Sequence, residues 1–374
     1  MTAPTTTDEI KAPPSAPTGH GHLPVWSLVF PALSLLAVAA GIAKMGNIGV
    51  VVGALILIGT VLAAVHHAEV VAHRVGEPFG TLVLAIAVTV IEVSLIVSLM
   101  LSDAGDASAL ARDTVFAAIM IILNGIVGLC LLAGGIQHRE QRFSLRGVSA
   151  ALNVLVAMSV LTLVLPNYVE SAPGPHYAPS QLVLVAVVSL ILYATFVLVQ
   201  TVRHRSYFLP EGGDDDDHAD PPSDRTAWAA FGALVVGLVG VVLLAKGLAD
   251  TVERTVLGAG LPLAIVGVVI AALVLAPESL AAFRAARRNR LQTSLNLALG
   301  SALATIGLTI PTVAVVSLMF GLPLALGLGP KGLTLLVLSL FAITLSLGTG
   351  RTTVLGGVVH LVIFAVYLFV TVVP

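Results

Sequence analysis

Two glutamates stand inside long apolar runs: Glu92 in FGTLVLAIAVTVIEVSLIVSLML (residues 79–101) and Glu278 in GAGLPLAIVGVVIAALVLAPESL (residues 258–280). An ionised carboxylate at the centre of a bilayer is unfavourable by about 2.5–3.5 kcal/mol on insertion scales, so an intramembrane acid reads as a functional group by default. Two carboxylates facing each other in a partly dry cavity repel, and they hold protons until a cation arrives. A hard cation takes oxygen ligands, and a carboxylate pair neutralises Ca²⁺. The same oxygens cannot hold a proton and a cation well together, so competition at one site is the minimal machine for cation/proton exchange. Glu92 and Glu278 are therefore the expected proton and metal-ion ligands. No cofactor is expected, only the transported ions Ca²⁺, Na⁺, K⁺ and H⁺.

Small polar residues surround the pair. Thr89 lies three residues before Glu92, with Ser94 and Ser98 beyond it. Pro277 and Ser279 flank Glu278, and a proline beside an intramembrane carboxylate predicts a break that frees backbone carbonyls as ligands. Asn124 lies in another apolar run, and Asn296, Ser301 and Thr305 lie in NLALGSALATIGL. Single Ser and Thr residues in such helices also serve packing.

The elements that must position these groups are membrane spans. The chain has 374 residues, 57% hydrophobic and 10% charged, against roughly 25% charged in soluble proteins, and its mean hydropathy is +1.03. That excludes a cytosolic enzyme and a disordered chain, and a net charge of −2 supplies no basic field for nucleic acid. The one cysteine, Cys130, permits no internal disulfide and no thiolate cluster. A span needs about 20 apolar residues. Eleven segments qualify: 25–43, 48–65, 79–101, 114–136, 148–165, 180–202, 227–245, 258–280, 293–319, 332–348 and 353–373. Their continuous apolarity excludes a β-barrel, and the fold class is an all-α polytopic membrane protein.

With eleven spans the N-terminal tail shares one side with the loops near 66–78, 137–147, 203–226, 281–292 and 349–352. That side holds thirteen of the 18 Lys and Arg residues. The positive-inside bias puts the N-terminus in the cytoplasm and the C-terminus outside, in a cell (inner) membrane. Residues 1–24 read as a floppy tail, 25–43 as a first helix and 44–202 as five helices. Residues 203–226 form an acidic linker with EGGDDDDHADPPSD, and 227–374 form five more helices. An odd number of helices per half inverts the second half. AEVVAHRV (68–75) resembles AKGLADTV (245–252), which suggests a duplication with the site where the two inverted repeats meet.

On these residues the chain resembles the calcium/cation antiporter superfamily, in particular its ChaA-type sodium–potassium/proton and calcium/proton antiporters. VAHRVGEPFGTLVLAIAVTVIEVSLIVSLM (71–100) and LVLAPESLAAFRAARRNRLQTSLNLALGSALATIGLTIP (273–311) look like its two α-repeats. The resemblance implies one extra N-terminal helix, two five-helix repeats, and alternating access by sliding of the first and sixth helices over the rest. It implies cation and proton binding by Glu92 and Glu278, with Asn124, Ser301 and Thr305 as matching polar residues. Broader members carry Gly-Asn-Ala before the glutamate. Here Thr89-Val90-Ile91 and Leu275-Ala276-Pro277 replace it, which removes an amide ligand from each side and points to a monovalent ion or a lower Ca²⁺ affinity.

Other polar groups read more plainly. HHAEVVAH sets His66, Glu69 and His73 on one helical face, expected as an interfacial helix before the third span, with a transition-metal site or proton sensing as alternatives. His360 reads as a packed neutral histidine, Lys246, Asp250, Glu253 and Arg254 as an extracellular salt-bridge cluster, and FRAARRNR (283–290) as the positive-inside anchor, with binding of anionic lipid heads as an alternative. Competing functions are a proton-coupled permease for a small organic solute, which would want a polar cavity with aromatics or a cationic residue to orient it, and a membrane-embedded enzyme. For the enzyme, HExxH, Walker A and Ser/His/Asp patterns are all missing from the sequence.

Overall fold

The computed structural model describes residues 23–42, 45–76, 79–100, 108–209 and 222–373. The expected tail (all but 23–24) and the acidic core of the linker, 210–221, lie outside these residues. The described chain is almost entirely helical: α1 Val25–Ala39, α2 Gly46–Val75, α3 Phe79–Met100, α4 Leu110–His138, α5 Leu145–Asn167, α6 Pro179–Arg203, α7 Asp224–Gly258, α8 Ala264–Arg287, α9 Leu291–Phe320, α10 Pro330–Leu347 and α11 Val354–Val372. Among the described residues nine of them are long and apolar enough to cross a membrane, while α1 and the apolar stretch Val83–Ser98 within α3 are shorter.

Helix boundaries follow local chemistry. Gly76, at φ +73°, ends α2, and Gly321, left-handed at φ +65°, ends α9, both conformations that a side chain disfavours. Among the described residues four helices contain a π-helical turn: Ile121–Ile126 in α4, Val160–Val164 in α5, Val199–Arg203 in α6 and Thr305–Thr309 in α9. Pro311 explains the turn in α9, because it has no N–H for the carbonyl of Gly307 and the ladder loosens there.

Three expectations change. The second helix does not stop near residue 65: α2 runs on to Val75, so HHAEVVAH forms the last turns of a long apolar helix rather than a separate interfacial helix. The seventh likewise extends to Gly258, which places Lys246 and Arg254 on α7. Pro277 does not break α8, which is continuous from Ala264 to Arg287. One missing hydrogen bond costs a single rung of a helix whose other rungs are packed on both sides.

The connections sort onto two ends of the bundle. At the first, β1 (Gln141–Arg142), between α4 and α5, pairs antiparallel with β2 (Arg351–Thr352), between α10 and α11. There too Arg74 pairs with Asp224, His138 Nε2 lies 3.0 Å from the carbonyl of Arg287, and Gln141 donates to the carbonyl of Ala286 at 2.9 Å. At the second, His176 bridges Ala325, Ala325 N–H donates to Ser108, and Lys331 donates to the carbonyl of Val370 at 2.8 Å. The first end carries most of the arginines and is called the arginine-rich end below. A large apolar core links α3, α4, α5, α6, α8, α9, α10 and α11, a second joins α2, α3 and α7 to α4 and α8, and a small third packs α1 against α2 and α7.

Candidate ion-exchange site

A cavity of ≈ 270 Å³ lies between α3, α6, α8 and α9, and both glutamates line it. Glu92 is 2% exposed. Thr309 Oγ1 donates to its Oε2 at 3.0 Å, Thr305 lies beside it, and its Oε1 is buried without a hydrogen-bond partner. Glu278 is half-buried, faces the hydroxyl of Ser301, and has Oε2 buried and unpartnered. The two carboxyls are close enough to interact electrostatically. A buried polar atom without a partner is rare and calls for an explanation. Here each acid turns one such oxygen to the interior, a donor set that fits a proton or a hard cation.

Both acids are served by one helix. Ser301, Thr305 and Thr309 recur every four residues, which keeps them on one face of α9. Gly307 brings α6 against that turn, since a Cβ there would lie 2.6 Å from the Cβ of Tyr193. Tyr193 and Gln200 of α6 and Thr293 of α9 complete the polar lining. The lining residues of α6 (193–200) and α9 (293–305) lie between mid-helix and the arginine-rich end, as do those of α3 (84–92) except Glu92, which sits just past the middle. The cavity therefore leads toward that end.

The other expected residues divide. Thr89 lines the cavity and turns its hydroxyl to the carbonyl of Ala85 at 2.8 Å. Asn296 lines it too, but its amide is engaged, donating to Phe208 at 2.5 Å and accepting from Gln292 at 2.8 Å. Ser94 and Ser279 do not line it; each donates back to its own helix, to Val90 and Leu275. Asn124 is also elsewhere. It is fully buried, donates to Ser339 at 2.8 Å, and lies 3.0 Å from Nδ1 of His360, whose Nε2 is 3.2 Å from Ser346. Close α4–α11 packing supports that network, because a Cβ on Gly357 would fall 2.4 Å from the backbone N of Leu132. Thr309, Gln200, Tyr193 and Thr293 are the candidate-site residues that sequence reasoning missed. Among the described residues no three His, Cys, Asp or Glu side chains form a metal cluster, so His66, Glu69 and His73 make none.

Known proteins agree with this architecture. The profile of the family described as Sodium/calcium exchanger protein matches residues 45–202 and 229–373, one match in each half. The chain is 49% identical to y4hA of Sinorhizobium fredii, an ionic transporter by name, over 94% of this chain and 97% of that one. It is 38% identical to the sodium-potassium/proton antiporter ChaA of Escherichia coli, over 91% and 94%. In fold it resembles the solved structure of native YfkE, with a TM-score of 0.69 and 16% identity, covering 91% of this chain and all (100%) of that one. It also resembles the H⁺/Ca²⁺ exchanger CAX, with a TM-score of 0.67 and 16% identity, over 91% and 89%.

Proposed function

The chain belongs to the sodium/calcium exchanger protein family and is a multi-pass membrane protein, and from that premise we propose that it is a secondary antiporter exporting Na⁺, K⁺ or Ca²⁺ in exchange for H⁺. The observation that carries this reading is the shared cavity, where Glu92 and Glu278 each bury an oxygen without a partner. A proton on either carboxyl fills that need in one state, and a cation bridging both fills it in the other. Because one set of oxygens serves both, loading the cation releases the protons.

The hydroxyls of Ser301, Thr305 and Thr309 supply neutral oxygens on the same face. The relative ChaA, a sodium-potassium/proton antiporter by name, supports including monovalent ions. On this reading the chain uses no cofactor and performs no covalent chemistry. Eleven spans, arranged as one helix and two inverted repeats of five, are supported by the alternation of connections between two ends and by the paired profile matches. The arginine excess supports a cytoplasmic N-terminus in the inner membrane, and the cavity then leads to the cytoplasm, as an inward-facing state requires.

In everted vesicles carrying the protein, adding Na⁺, K⁺ or Ca²⁺ to proton-loaded vesicles releases protons, and Glu92→Gln or Glu278→Gln stops the release. Wild-type rates from both neutral variants would overturn the mechanism.

A further inference from the structure

Glu69 is a carboxylate that the exchange site leaves unused. It is exposed on α2, and among the described residues it forms no salt bridge. The nearest arginine in sequence, Arg74, is taken by Asp224. Its depth follows from the hairpin of α2 and α3. Glu69 lies six residues before the end of α2 and Ala85 six residues after the start of α3, so the two stand level. Ala85 lines the cavity on its side toward the arginine-rich end. The same reckoning on the hairpin of α8 and α9 sets Glu278 level with Gly300, and Ser301 does face Glu278. Glu69 is also within electrostatic reach of Glu278. In the duplicated segment, AEVVAHRV against AKGLADTV, the position of Glu69 is taken by Lys246, which is exposed on α7. An acid level with the cavity on one hairpin thus has a base at the matching position of the similar segment.

Resting on the antiport reading above, we propose that Glu69 steers cations into the site from the arginine-rich end and raises selectivity for divalent over monovalent ions. A fixed charge at a mouth concentrates counter-ions, and Coulomb energy scales with the charge of the ion. At about 10 Å with water-like screening, one carboxylate changes local occupancy by about twofold for K⁺ and about fourfold for Ca²⁺.

The test uses the full chain in proteoliposomes, with K⁺ or Ca²⁺ applied at the arginine-rich side and ionic strength set with choline chloride. Glu69→Gln raises the half-saturating concentration by about twofold for K⁺ and about fourfold for Ca²⁺ with the maximal rate kept. Both shifts fade between about 0.01 M and 1 M salt as the Debye length falls from about 30 Å to about 3 Å. Glu69→Asp follows the wild type, and Glu69→Lys squares each factor. No shift, equal shifts for the two ions, or shifts that ignore salt would overturn the proposal. If the wild type exchanges neither ion for protons, the antiport reading fails instead, since the steering readout is a ratio between proteins that do exchange.

Discussion

Glu92 and Glu278 occupy matching places, thirteen and fourteen residues into α3 and α8, yet they are held differently. Glu92 is sealed and tethered, with Thr309 fixing one oxygen at 3.0 Å. Glu278 is half-buried, meets a single hydroxyl at Ser301, and has Glu69 near it. On the antiport reading, the pair is one deep, fixed ligand and one ligand nearer the mouth. The π-turns of α9 and α4 diverge in the same way. The one in α9 brings Thr305 and Thr309 to Glu92, whereas the one in α4 turns Asn124 away from the cavity and into hydrogen bonds with α10 and α11. On the inverted-repeat reading, the two halves share a scaffold without sharing the duties of each position.

The largest expected effect breaks this comparison at its centre. Shortening each acid by one methylene separates a fixed ligand from an adaptable one. Glu92→Asp pulls the carboxylate away from Thr309 in a site that cannot collapse around it, and misplacement by about 1 Å costs on the order of 10²-fold in rate. Glu278→Asp, with room to adjust, loses about a tenth of that. Exchange rates per folded protein in proteoliposomes give the answer. Equal losses would show that the two acids are equivalent after all.

A smaller effect compares the two π-turns. Thr309→Val keeps the shape and removes the donor, leaving both oxygens of Glu92 without a hydrogen bond from Thr309. An unmade hydrogen bond to a buried group costs about 1–3 kcal/mol, which reads as about a tenfold change in cation affinity or rate. Asn124→Ala strips His360 and Ser339 of their amide partner and draws on the same range. Its cost falls on stability, measured as thermal unfolding in detergent, with a smaller loss of exchange than Thr309→Val. A reversed order would return Asn124 to the transport site.

The sequence revealed much of this because the relevant physics is local. Apolar length marks the helices, and a carboxylate inside one stands out against the cost of its burial. Ser301 and Thr305 were legible as hydroxyls four residues apart, and continuing the spacing one step would have reached Thr309. What was not legible depends on which faces meet. Asn124 looks like a cavity ligand in its helix, and only the close crossing of Gly357 against α4 shows that it faces α11. Gln200 and Tyr193 enter through the packing of α6 against α9, which no spacing within α6 records. Pro277 misled for another reason, since proline removes one hydrogen bond and a helix packed along its length survives that loss.

The smallest effect compares the two ends. At the arginine-rich end Arg74 and Asp224 pair in the open, with side chains 38% and 77% exposed, and such pairs contribute about 0–1 kcal/mol. At the other end Arg112 pairs with Asp113, with both side chains largely covered at 19% and 20% exposure, and also donates to the carbonyl of Gly327 at 3.0 Å. Asn167 reaches the same loop at Leu328. Arg112 thus ties α4 to the connection between α9 and α10, on the side away from the cavity mouth. Arg74→Ala leaves the unfolding temperature nearly unchanged and insensitive to salt. Arg112→Ala lowers it, and it raises the reactivity of a cysteine placed at Gly327 toward a membrane-impermeant maleimide, because the end closed in this state loosens. If Arg74→Ala had the larger effect on both readouts, the arginine-rich end would be the one held shut, and the direction assigned to the cavity would be wrong.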